Sequence, residues 1–98
     1  MVLEDEFTRI LLDKVIQNVI SCLPIIENIS KVQHKKIEER IGVDNMRDFV
    51  LGAAWCTVLE KFLVSSYKNT KKTITYEQSL IISEYVLDKM SKLSIDEM

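Results

Sequence analysis

The side chains of this chain that can do chemistry are few and scattered. Its one histidine, His34, stands four residues before Glu38. On a helix that spacing puts imidazole and carboxylate one turn apart on the same face, which is half of a metal site. Glu27, Glu39 or acids of another chain would have to supply the remaining ligands, so the expected reading is a solvated histidine on a charged helix face. Glu38 and Glu39 are adjacent, point about 100° apart on a helix, and do not share a site. Only a dimer bringing two such faces together would make a carboxylate-bridged centre of the kind built inside bundles. Cys22 and Cys56 are far apart and form no Cys-x-x-Cys motif. In apolar helical surroundings a free thiol behaves as a small hydrophobe, so both are expected reduced and buried. There is no glycine-rich phosphate loop, nucleophile elbow or zinc-ligand pattern. The chain is therefore not expected to be an enzyme, and no cofactor or metal is expected.

One basic run, Lys68-Asn69-Thr70-Lys71-Lys72, interrupts the pattern. Lys68, Lys71 and Lys72, assisted by Thr73, Thr75 and the amides that open the next helix, form a candidate contact for a phosphate or other anion. An anion- or nucleic-acid-binding module is accordingly the alternative function. The net charge of -2 offers nucleic acid no global attraction, so such a role rests on this local patch. Tyr67, Tyr76 and Tyr85 are too scattered for a base-stacking platform. A second cluster, Lys31, Lys35 and Lys36, is balanced by Glu38 and Glu39.

The elements that must position these residues read as helices. Two glycines and one proline among 98 residues argue against a β-rich or loop-rich fold. The expectation is an all-α, compact bundle of about four helices in a single domain, 1–98, with 1–2 and 94–98 frayed. The first helix runs from about Leu3 to Cys22, with Phe7, Ile10, Leu11, Val15, Val19 and Cys22 near one face and Leu12, Ile16 and Ile20 widening it. Pro24 marks a boundary, because the residue before proline is biased away from helix and proline suits a first helical position. A second helix then runs from Pro24 to Ile41, with Ile26, Ile29, Ile37 and Ile41 as its stripe and Gly42 as its cap. Asp44 is the expected N-cap of the third helix, Met46 to about Lys68. Thr75-Tyr76-Glu77-Gln78 reads as a capping box that opens a fourth helix to about Leu93.

The third helix is the most informative element. From Phe49 to Val64 only Thr57, Glu60 and Lys61 are clearly polar. Its apolar residues fill an arc of roughly 200°, about twice what a surface helix needs. It is expected to be long, mostly buried and covered by more than one neighbour. Self-association relieves that demand, through Leu51, Trp55, Leu59 and Phe62 packing on a symmetry mate. The expected protein is a small, soluble, cytoplasmic, non-catalytic protein–protein interaction module, a homodimer in preference to other homo-oligomers. An acidic N-terminus suits no secretory signal. Glu60 and Lys61 break the one run that approaches membrane-spanning length, so no membrane partner is expected.

The stretch Lys71-Lys72-Thr73-Ile74-Thr75-Tyr76-Glu77 resembles the second loop of histone-fold proteins. There a long central helix ends in a basic–threonine–aliphatic loop before a short helix. Lys71 and Gln78 stand where that family pairs an arginine with an aspartate. The chain before the long helix is longer than the short first helix and loop of that family, and the resemblance implies an obligate dimer with crossed central helices.

Overall fold

In a computed structural model, which describes residues 5–92, three helices account for most of the described residues. They are α1 (Glu6–Ile41), α2 (Met46–Thr70) and α3 (Tyr76–Ser91). The all-α class stands and the count of four is corrected to three. Leu3, Leu93 and the expected frayed ends fall outside the described residues.

The correction turns on Pro24, which lies inside α1 rather than at a boundary. Proline there leaves the Ile20 carbonyl without its helical donor and crowds it, a cost of about 3 kcal/mol in a helix interior. Apolar burial, chiefly before the proline and with Ile26 packed on the core after it, offsets that cost. Val19 and Leu23 are buried just before the proline, and Ser30 is buried after it. A straight helix of 36 residues would measure about 54 Å. The domain extends 42 Å along its long axis, so α1 does not lie straight along it.

The hydrophobic core is built from rows of residues spaced three or four apart. α1 contributes Leu12, Val15, Ile16, Val19 and Leu23, and α2 contributes Val50, Ala54, Val58 and Phe62, with Met46 also buried at its start. α3 adds Ile82, Val86 and Met90. The α2 and α3 rows are strictly four apart, the ridge that packs into a neighbour's groove at an inclination to the helix axis. Each step of four advances about 40° around the helix, so the buried line winds and leaves the rest of the circumference outside. Only 22% of the apolar eighteen-residue stretch of α2 is buried. The expectation of a mostly buried long helix is overturned for that reason.

Of the first-helix face expected from sequence, Leu12, Val15, Ile16 and Val19 are core, whereas Phe7, Ile10 and Cys22 are exposed. Ile29 and Ile41, from the expected second stripe, are exposed as well.

The ends of the helices follow local chemistry. Asp5 caps α1, its carboxylate accepting from the Phe7 amide at 3.1 Å and the Thr8 hydroxyl at 2.9 Å. Gly42 closes α1 in the left-handed region, φ 76°, as expected of a glycine cap. Asn45, not Asp44, caps α2, accepting from the Asp48 amide at 3.0 Å. The Thr75–Gln78 capping box is complete on both sides. α2 is closed by Lys71 at φ 59°, the one described non-glycine residue with positive φ. Such a conformation costs a lysine about 1 kcal/mol relative to glycine.

α2 packs against both neighbours. The Tyr85 hydroxyl donates to the Asp13 carboxylate and ties α3 to α1. α1, at 36 residues, is the longest described helix, in line with the departure from the short first helix of histone folds already evident in the sequence.

Candidate interaction surfaces

The four residues expected to mediate self-association divide in the structure. Phe62 is fully buried in the chain's own core and is unavailable to a partner. Leu51, Trp55 and Leu59 are half-buried and pack against that core. Leu51, Gly52 and Trp55 line a shallow recess of about 230 Å³ with Leu87, Met90 and Ser91, which places them beside the end of α3. Among the described residues, the buried Trp55 indole N–H has no acceptor. Gly52 does not mark a close helix contact within the chain, because nothing lies within 4 Å of where its Cβ would stand.

A different surface emerges on the side of α1 and α2 turned away from α3. Tyr85 meets α1 at Asp13, and Asn18 lies roughly 140° round α1 from that point. The α3 end meets α2 at Trp55, and Val64 lies roughly 180° round α2 from there. Asn18 and Val64 line one groove of about 450 Å³ together with Val15, Thr57, Glu60 and Lys61. Along α1 this flank continues through Cys22, Ile25, Ile29 and Val32, all exposed. Their 3-4-3 spacing is that of a seam that receives another helix. Ile25 is 62%, Ile29 58% and Val32 82% exposed, so the seam has no cover among the described residues. Sequence reasoning missed it because Pro24 was read as a break, which cut the seam between two helices.

Both cysteines are free and both are exposed, which corrects the expectation that they are buried. Cys22 belongs to the seam and Cys56 lies on an exposed part of α2.

The lysine loop forms a second surface. Lys68, Lys71, Lys72 and Thr73 border a groove of about 580 Å³ whose walls are Leu63, Val64, Tyr67 and Ile74. Thr75 is not among its lining residues. The Thr75 hydroxyl accepts from the Gln78 amide at 3.2 Å, so it is engaged in capping. The loop is therefore less a row of polar anion contacts than an apolar trough with a cationic rim.

The other candidate chemistry stays at the surface. His34 Nε2 lies 3.0 Å from Glu38 Oε1, one turn apart and half-exposed. Among the described residues no group of three or more histidine, cysteine or acidic side chains is placed to hold a metal ion.

Among the described residues, Tyr85 is the one perturbed group. Its hydrogen bond to Asp13, then burial, then the Asp13 charge, push its pKa from 10.0 up to about 12. The neutral phenol is the form that the folded state favours. Its contribution to stability is therefore complete below the unfolded value of 10.0 and is lost as pH rises through about 12. Tyr85→Phe should remove the highest-pH step from the tyrosinate absorbance titration and cost about 1 kcal/mol at neutral pH. A titration that keeps this step in the variant would reassign it.

Comparison with known proteins returns no matching family model, no matching curated protein and no matching solved structure.

Proposed function

We propose that this protein is a small soluble helical interaction module that self-associates through α2 and the adjoining seam of α1, and that it is not an enzyme. The observation that carries this reading is the exposed row Cys22–Ile25–Ile29–Val32 along α1. Among the described residues, twelve large hydrophobics are at least 40% exposed, against thirteen hydrophobic residues in the core. Isolated exposed hydrophobics are ordinary, but a contiguous row is not. A third helix already flanks one side of the α1–α2 pair, and a helix of a second copy on the other side would complete a four-helix arrangement. A two-fold axis would bury the same seam on both copies at once.

α2 is also the one described helix long and apolar enough to cross a membrane by length and composition. A soluble role is favoured because α2 supplies the central row of the core, and moving it into lipid would dismantle that core. Solution mass tests the proposal. Light scattering at micromolar concentration should give two 11.4 kDa chains, and Ile29→Glu should give one with its helical content intact. A wild-type mass of one chain would overturn the reading.

A further inference from the structure

The groove at the lysine loop combines features that a purely structural corner does not need. Its walls are aliphatic and aromatic: Leu63, Val64, Tyr67 and Ile74. Every charged residue that lines it is a lysine, in a chain whose net charge is -2. The ion pairs found among the described residues do not include Lys68, Lys71 or Lys72. Its volume of about 580 Å³ is that of a site for a small molecule.

Lys71 adds an independent observation. It closes α2 at φ 59°, where glycine is the favoured residue, and its side chain lines the groove. Capping alone would be served better by glycine, so the lysine is there in spite of the backbone.

We propose that this groove binds a free aliphatic carboxylate, a fatty-acid-like anion. Its chain lies along the apolar walls and its head is held by the three ammonium groups, with the Thr73 hydroxyl beside them. A bare phosphate would leave the walls unused, and a neutral hydrocarbon would leave the lysines unused. Hydrogen bonds between an ammonium and a carboxylate are charge-assisted, and they are stronger where an apolar wall excludes water. The site lies on the end of α2 and its closing loop and shares only Val64 with the groove between α1 and α2, so the proposal holds for one chain or two.

The test is calorimetric titration with dodecanoate below its micelle concentration, with amide shifts read by NMR. The expected result is one bound anion per chain with shifts centred on residues 63–74. Dodecanol, which lacks the charge, should bind about tenfold more weakly, and inorganic phosphate weaker still. Lys71→Gly should lower dodecanoate affinity about tenfold. The same substitution relieves the positive φ, so the melting temperature should hold or rise, and lost affinity cannot be blamed on unfolding. Ile29→Glu, on the seam, should leave dodecanoate affinity unchanged. Unchanged affinity in Lys71→Gly, equal binding of dodecanol, or shifts spread over the α1 seam would overturn the proposal. So would binding to anionic vesicles with none to monomeric dodecanoate, or exclusion of dodecanoate as the chain self-associates.

Discussion

Phe62→Ala is expected to cost about 3–5 kcal/mol, the usual range for truncating a fully buried phenylalanine. Phe62 is 0% exposed and packs in the cluster shared by all three helices. A domain of ordinary stability has roughly 5–15 kcal/mol in hand, so the variant would retain little or none. Its neighbour Leu63 is 40% exposed, and Leu63→Ala should cost less than about 1 kcal/mol. Urea unfolding of the two variants, followed by circular dichroism, makes the comparison. The Phe62→Ala loss should not vary with protein concentration, because the side chain serves the fold of each chain. A loss that appeared only at high concentration would return Phe62 to an interface.

Pro24→Ala should act in the opposite direction. The new amide would complete the bond to the Ile20 carbonyl and remove the ring's clash with it. Restoring a regular helix interior is worth up to about 3 kcal/mol. Residue 24 is exposed, so an alanine there meets no packing penalty. The expected result is a higher urea midpoint with an unchanged slope. A lower midpoint would mean that the direction α1 takes at Pro24 is needed to seat Leu23 and Ser30 together.

The termini of the helices were legible in the sequence because they depend on neighbours in the chain. Thr75 with Gln78, and Gly42, perform the roles that their spacing announces. Pro24 misled because a proline's local penalty is modest beside the burial available on either side of it. The apolar arc of α2 was legible too, but its division between core and surface was not. An arc of roughly 200° contains several possible buried rows, and the placement of α1 and α3 selects one of them. That selection put Phe62 inside, left Leu51, Trp55 and Leu59 half-covered, and exposed Cys56. The lysines of the loop were legible as charge. Their apolar setting was not, because Leu63 and Ile74 meet only when the chain turns at Lys71.

The core is not evenly distributed along α1. Before Pro24 the helix buries Leu12, Val15, Ile16, Val19 and Leu23, and beyond it only Ser30 is fully enclosed. The tip formed by the end of α1 therefore holds on with fewer buried apolar residues than the first part of that helix. Such a molecule loosens like a clothes-peg, jaw first, while its spring remains closed. A companion chain that grips the tip would stiffen the weakest part of the fold and leave the strongest part as it was.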